Sequence, residues 1–343
     1  MKTDEKQTSK ARLLYLLREK QGSPVSGSIL AGEMGVSRVA VWKTVQSLLE
    51  AGYLIETGET GYLLDPKNEK DFLYPWEFGE KESFFFYFSN TDSTMNRARE
   101  LALRGASAGT VIVAEKQSAG KGRNGRTWVS RQGGLFFTIL ERPRLTISDY
   151  TLLSLVIQIA AARCISSICR KKAFLRWPND IYINRKKIAG TISEISGEGD
   201  LITWLSGGIG VNVNNPAPSL KATSCMEITG RHFSRHETLI KILNEIESVK
   251  REFSSTAAYF QGSRALCAEW NSMTDCIGAK TAVFEPESKK ENNSIDIPGR
   301  ILARGIFKGI DPAGRCILQT EDGKGDMYFN HGSVSMAFLN NVT

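Results

Sequence analysis

Along residues 1 to about 66, apolar positions recur at helical spacing and are separated by polar or glycine-containing breaks. Leu13, Leu14, Leu16 and Leu17 follow a polar lead-in and predict a helix that stops near Gly22 and Pro24. Ser26 stands where an N-cap would open a short helix over Ile29 to Met34, and Gly35 supplies a tight turn. Ser37 then caps a third helix, which places Val41, Val45, Leu48 and Leu49 on one face. Its other face carries Arg38, Trp42, Lys43 and Gln46. Tyr53 to Glu56 and Tyr62 to Leu64 flank the turn Thr57 to Gly61, which predicts a hairpin.

Beyond the polar linker Asp65 to Lys70 the period shortens toward that of strands. Phe84 to Phe88, Thr110 to Glu115, Leu135 to Leu140, Ile181 to Asn184, Ile188 to Ile195 and the glycine-broken run Ile202 to Val213 read as strands. Thr94 to Arg104, Thr151 to Ile168 and His236 to Phe253 read as helices, and a glycine-rich β tail begins near residue 277. The expectation is a multidomain α+β chain: a winged helix-turn-helix over 1–66, a mixed α/β domain over 67–274 and a small barrel-like β domain over 275–343. Glu285 to Asn293 is a charged insertion expected to form an exposed loop.

Composition narrows the class without naming it. At 343 residues the chain exceeds one ordinary domain. Hydrophobic residues at 41% and charged ones at 24% are globular proportions. A net charge of +7 suits anionic partners. The six cysteines form no Cys-x-x-Cys pair, which argues against a disulfide framework and for a reducing, cytoplasmic setting. The first residues, MKTDEKQTSKARLL, are polar and include acids, unlike a signal or transit peptide. The longest apolar stretch, Leu152 to Ile168, contains Gln158 and Arg163 and reads as a buried helix, so no membrane partner is expected. His232 and His236 have zinc-like spacing but no cysteine pair beside them, and no metal site is assigned.

The charge pattern of the first module qualifies its use. Up to Leu48 eight basic residues face four acidic ones, but Glu50, Glu56, Glu59 and Asp65 in and around the wing cancel that surplus. Its non-specific grip on nucleic acid would therefore need dimerisation or a co-ligand. Ser37, Arg38, Val39, Trp42, Lys43 and Gln46, at the start and outer face of the third helix, are the candidate DNA-reading set. A winged helix used for protein contacts is the alternative.

Three segments carry candidate chemistry. Gln117 to Trp128 interleaves Gly120, Gly122 and Gly125 with Lys121, Arg123 and Arg126, a chain able to wrap an anion with backbone N–H groups and cations. It lacks the spacing of a Walker A loop, and by composition alone such a run is more often a solvated surface turn. Arg176-Trp177-Pro178-Asn179-Asp180 and the following hairpin put an amide and a carboxylate at a strand end and bring Lys187 back toward them. Gly190 there permits close approach to the backbone, although an ordinary hairpin explains the same residues. Ser93, Thr94 and Met95 open a helix as a cap or as a polar ligand site.

Taken together and in this order, Q-x-A-G-K-G-R-x-G-R-x-W and W-P-N-D…K-I-A-G resemble the biotin–protein ligase family, in its bifunctional form with an N-terminal winged helix that represses biotin genes. The resemblance spans nearly the whole chain. It implies a central domain of the biotin/lipoate ligase type and an SH3-like C-terminal barrel. It implies biotin contacts at Ser93, Thr94, Met95, Gln117, Lys121, Gly122, Arg123, Lys187 and Gly190. Adenylate contacts fall at Gly120, Lys121, Arg123, Arg126, Trp128, Asn179 and Lys187, and Lys187, Arg123 and Asp180 are the catalytic set. Met95 stands where the family often has Asn, Lys121 where it usually has Arg, and Arg176 where Lys is common. Some relatives carry a basic residue near the end of the tail that assists ATP binding; here no Lys or Arg follows His331, and that role is not assigned.

The implied reaction joins biotin to ATP, with Mg²⁺, as biotinyl-5′-AMP, then passes biotin to a lysine of the biotin carboxyl carrier protein of acetyl-CoA carboxylase. The intermediate is also expected to drive homodimerisation, with Leu205 to Val213 as the candidate sheet edge, and so binding to a two-fold operator of biotin genes. The alternatives are a lipoate–protein ligase and a biotin-sensing repressor that ligates poorly.

Overall fold

The computed structural model describes residues 8–20, 22–65, 71–143, 145–147, 150–254, 259–285, 300–321, 323, 325–332 and 334–338. It forms two compact units, Met1–Tyr87 and Phe88–Thr343.

The first unit is three helices and a hairpin, and the second and third helices start at the caps the sequence marks. In α1 (Ser9–Glu19), the Thr8 hydroxyl accepts from the Ala11 N–H, while Leu13, Leu14, Leu16 and Leu17 are buried. Ser26 and Ser37 cap α2 (Gly27–Met34) and α3 (Arg38–Glu50) by accepting from the Ile29 and Ala40 N–H groups. Each such cap contributes about 1 kcal/mol. Gly35 ends α2 at φ 64°, a left-handed conformation that favours glycine. Strands β1 (Ile55–Gly58) and β2 (Gly61–Leu64) pair antiparallel with Gly58 opposite Gly61. The turn is thus tighter than the expected Thr57 to Gly61, because ladder pairing continues to its last two residues. Gly61 has φ 124°, and a Cβ there would stand 2.1 Å from the Val25 carbonyl oxygen, since Val25 exchanges both backbone hydrogen bonds with Tyr62. Phe72, Tyr74 and Trp76 also pack on this core, in a stack begun by Tyr53. The chain leaves the unit within β3 (Phe85–Phe88).

The second unit is organised by an antiparallel sheet. Its strands are β4 (Thr110–Ala114), β5 (Leu135–Glu141), β6 (Phe174–Arg176), β7 (Asp180–Ile183), β8 (Lys186–Glu198) and β9 (Leu201–Val211). They run in the order β4-β5-β9-β8-β7-β6. This order corrects the expected dimer edge: β9 lies between β5 and β8, with Leu205 opposite both Glu141 and Ile195. Its backbone groups are used by the two neighbours, so Leu205 to Val213 offers no free edge to a second copy.

Adjacent glycines of β9 show how the sheet is covered. A Cβ on Gly207 would meet Ile157 of α5 (Tyr150–Cys169), whereas one on Gly208 would meet Met95 of α4 (Thr94–Leu103). Neighbouring strand positions face opposite sides, so α5 and α4 lie on opposite faces. The apolar stretch of membrane-spanning length is α5, whose buried residues run from Thr151 to Cys169 in the core. Two further helices, α7 (Arg235–Ser254) and α8 (Tyr259–Ser272), pack against α5, a short α6 (Cys225–Thr229) having come before. The sequence pattern had not marked α8.

The tail forms a second antiparallel sheet, of five strands: β10 (Lys280–Phe284), β11 (Ile301–Ile310), β12 (Cys316–Thr320), β13 (Asp326–Phe329) and β14 (Ser335–Phe338), in the order β13-β12-β11-β10-β14. Asn271 of α8 anchors it by exchanging two 2.9 Å hydrogen bonds with the backbone of Ile310. Pro66–Lys70 of the predicted linker and residues 286–293 of the predicted insertion lie outside the described residues. All six cysteines are free and buried.

Candidate functional site

The site is built on the face of the large sheet that carries α4. Gly190 of β8 and Gly210 of β9 are register partners. A Cβ on Gly210 would stand 2.5 Å from the Trp128 ring, and one on Gly190 would stand 3.0 Å from it. The missing side chains let the indole lie close to the backbone of both strands. Met95 uses the next gap, with its sulfur 2.7 Å from where a Gly208 Cβ would be.

At one end a polar network surrounds the start of α4. Ser93 caps the helix by accepting from the Met95 N–H. The Gln117 carbonyl oxygen accepts from the backbone N–H and hydroxyl of Thr94, at 2.8 and 3.2 Å, and its amide donates to Ser130 at 2.8 Å. Thr138 donates to the Thr94 hydroxyl at 2.8 Å. Behind them, Asp92 fixes the turn. Burial opposes its charge, but hydrogen bonds from Asn96, Ser93, Arg97 and Thr91 win and hold its carboxyl well below the usual range. Backbone bonds from Ser118 to Thr91 and from Ala119 to Asp92 tie the same turn to the start of the glycine-rich loop.

That loop is an ordered hairpin. The Trp128 N–H donates to the Gly120 carbonyl, Gly122 to Arg126, and Arg126 to Arg123. Asn124 and Gly125 turn it at φ 54° and 72°. Gly120 is indispensable in another sense than ligand contact: a Cβ would come within 2.5 Å of the Trp128 carbonyl oxygen. At the tip, Nη2 of Arg123 donates to the backbone carbonyls of His331 and Val334, and the Asn124 amide donates to the Ser335 hydroxyl at 2.9 Å. Burial lowers the Arg123 pKa to about 10, against the opposing attraction of Asp180, so the guanidinium stays charged at neutral pH.

The opposite wall is the β7–β8 hairpin. Nζ of Lys187 lies 2.6 Å from Oδ1 of Asp180 and 5.3 Å from the centre of the Trp128 ring. Asn179 donates its amide to the Thr191 carbonyl and accepts the Thr191 N–H at its own backbone carbonyl.

These walls enclose a cavity of about 470 Å³. Ser93, Thr94, Met95, Gln117, Lys121, Gly122, Arg123, Arg126, Trp128, Asn179, Asp180, Lys187 and Gly190 all line it, and of the expected ligand set only Gly120 stands behind the lining. Sequence reasoning missed the apolar lining of Phe137, Ile192 and Ile209, the supporting hydroxyls of Ser130 and Thr138, and the whole of β14. Arg176, noted in the sequence only as standing where Lys is common, also lines the cavity, with its guanidinium 4.1 Å from the Tyr182 ring centre. Among the described residues no group of three or more His, Cys, Asp or Glu side chains could hold a metal ion.

In the first unit, Arg38, Val39, Trp42 and Gln46 line a groove with Ser26 to Ser28 and the wing residues Thr57 to Glu59, Gly61 and Tyr62. Val39 and Trp42 are 62% and 52% exposed. Ser37 and Lys43 are exposed but stand outside the groove lining, Ser37 because its hydroxyl caps α3.

Comparison with known proteins gives these features a family. Residues 87–214 match the Biotin/lipoate A/B protein ligase family, and residues 10–63 match an HTH domain. The Bifunctional ligase/repressor BirA of Bacillus subtilis is 30% identical over 333 residues, covering 94% of this chain and 97% of the relative. The chain belongs to this bifunctional biotin ligase/repressor family. The relative of the same name in Escherichia coli is 26% identical over 310 residues, covering 86% of this chain and 88% of its own. Biotin protein ligase from Aquifex aeolicus, solved in complex with biotin and ATP, superposes with a TM-score of 0.59 at 26% identity, covering 74% of this chain and 99% of that one. The ligase-family match contains the Ser93–Gln117 network, the glycine-rich loop and the Lys187 hairpin, and the helix-turn-helix match contains α2, α3 and the wing.

Proposed function

We infer that the cavity is where this ATP-dependent biotin–protein ligase makes and holds biotinyl-5′-AMP, and that α3 with the wing is the surface through which it acts as a biotin-responsive repressor. The observation that carries the first assignment is the Lys187–Asp180 pair at 2.6 Å, set in one cavity with the arginine-bearing loop and the Thr94–Gln117 network.

In the first step a biotin carboxylate oxygen bonds to the α-phosphorus of ATP while the bond to pyrophosphate breaks. Both reactants are anions, and opposite unit charges about 4 Å apart attract by about 4 kcal/mol at the effective dielectric of a protein surface. Lys187 and Arg123 supply those charges, and Asp180 holds the Lys187 ammonium in place. Gln117, Thr94 and Ser93 offer amide and hydroxyl groups to the ureido end of biotin, with Met95, Phe137, Ile192 and Ile209 around its apolar part. Trp128, Lys121, Arg126 and Asn179 serve the adenylate. A Mg²⁺ ion carried by the ATP phosphates would supply further positive charge to the leaving pyrophosphate. The lone carboxylate Asp180 with the Asn179 amide oxygen suits an ion that keeps most of its water and phosphate ligands.

In the second step the amine of a carrier lysine bonds to the acyl carbon and the bond to AMP breaks, AMP leaving with the electron pair. The amine must first lose a proton, and Asp180 orients it or accepts that proton. The mixed anhydride is open to hydrolysis, and the hairpin loop bounding the cavity limits water there.

The partners in this reading are the biotin carboxyl carrier protein of acetyl-CoA carboxylase and the operator DNA of biotin genes, read by a homodimer that biotinyl-5′-AMP favours. The setting is cytoplasmic. The domains are 1–66, 67–274 and 275–343, the last an SH3-like barrel. The test is transfer of biotin to an apo carrier domain by the purified protein with ATP and Mg²⁺, lipoate being run in parallel. Labelling with biotin alone supports the reading; labelling with lipoate, or biotin binding without transfer, contradicts it.

A further inference from the structure

We propose that His331, in the tail sheet's last loop, is a positioning residue for adenylate formation. It holds the Arg123 side of the cavity to the Asp180 side.

His331 is 8% exposed. Its side chain and backbone reach opposite walls of the site. Nε2 is 2.7 Å from the Pro178 carbonyl oxygen, which makes the ring a donor there, and the ring meets Trp177 edge-on. The next residues after Pro178 are Asn179 and Asp180, both in the cavity lining. The His331 backbone carbonyl accepts Nη2 of Arg123, and Val334 in the same loop accepts it at 3.2 Å. Two acceptors on one Nη2 fix the plane of the rigid guanidinium fork. The loop carrying those acceptors is in turn pinned through the imidazole to the corner that leads into Asp180. The ring is held neutral, since burial and the Arg123 charge lower its pKa to about 3, against the pull of the Pro178 carbonyl. A neutral donor can take this place beside a guanidinium where a cation would be repelled.

Without the imidazole bond His331 loses its tie to Pro178, and Arg123 loses the fixed position of its acceptors on His331 and Val334. Small misplacements of a charged group can cost about 10²-fold in rate. Biotin is expected to be held mainly at the Thr94–Gln117 end and by Lys187, so its affinity should change little even though Arg123 also faces its carboxylate. The inference rests on the reading of Arg123 as a charge that serves the adenylation step.

The experiment compares full-length wild type, H331A, H331Q, R123A and R123A/H331A in biotin-dependent exchange of pyrophosphate into ATP at saturating biotin and ATP. Biotin binding without ATP is measured by calorimetry on each. Expected are an exchange kcat in H331A down by about 10-fold or more, biotin affinity within about twofold of wild type, and recovery of most of the rate in H331Q, whose amide N–H can also donate to Pro178. R123A/H331A should be no slower than R123A beyond about twofold, because the two residues act in one linkage. Wild-type exchange by H331A, multiplied losses in the double variant, or equal loss of biotin binding overturns the proposal alone. Near-wild-type exchange by R123A overturns the reading of Arg123 itself, and the proposal with it.

Discussion

Trp128 lies so close to Gly210 that a methyl group on the strand would stand 2.5 Å from the indole, while the indole N–H is buried with no partner among the described residues. The relationship joins two parts of the chain, a cationic loop and a central strand. The glycine allows the ring to reach the floor of the cavity, and the unpartnered donor is a group that a bound ligand can satisfy.

Gly210→Val should therefore expel the ring and overpack the floor, at a cost of about 1–3 kcal/mol. The expected outcome is a lower melting temperature together with a raised KM for ATP in pyrophosphate exchange. A variant with unchanged melting and unchanged KM would show that the ring is not seated there.

Substitutions in the first unit test the DNA assignment apart from catalysis. Arg38→Ala and Trp42→Ala remove exposed groups from the groove between α3 and the wing. Each should weaken operator binding by about 1–3 kcal/mol, roughly 5- to 150-fold, with biotin transfer to the carrier unchanged. Gel shifts with the protein's own upstream DNA, with and without biotin plus ATP, measure the first and a transfer assay the second. Equal damage to both activities would make the first unit a structural part of the ligase.

A pH dependence follows from His331. Its native pKa, about 3, lies below the ordinary value of 6.5. The unfolded chain thus binds a proton that the native chain refuses, and stability falls as pH drops from the ordinary value toward the native one. Glutamine at the same position does not titrate. The melting temperature of His331→Gln should accordingly fall less steeply than that of wild type from neutrality down to about pH 4, within the window set by those two values. Parallel curves would contradict a buried neutral imidazole.

Much of this site is visible in local sequence, and what is hidden is hidden for a physical reason. Ser26 and Ser37 mark their helices because capping is local, and the Gly/Lys/Arg run and the Trp-Pro-Asn-Asp corner show their chemistry in consecutive residues. The opposition of Gly190 to Gly210 is a matter of register between strands, which a single segment does not encode. The same limit led to β9 being read as an edge when it is paired on both sides. β14 and His331 reach the site from the far end of the chain, His331 standing 208 positions after Arg123. α8 has its apolar positions Leu266, Cys267 and Trp270 buried against its neighbours, but its polar and glycine content blurs the helical period.

In the proposed reaction Lys187, held by Asp180, carries the charge that lets two anions react. The decisive variant is Lys187→Ala, measured in biotin-dependent pyrophosphate exchange with the melting temperature as the control for folding. Exchange should fall by at least about 10²-fold while the protein still melts cooperatively near the wild-type temperature. Near-normal exchange in that variant would contradict that role of Lys187.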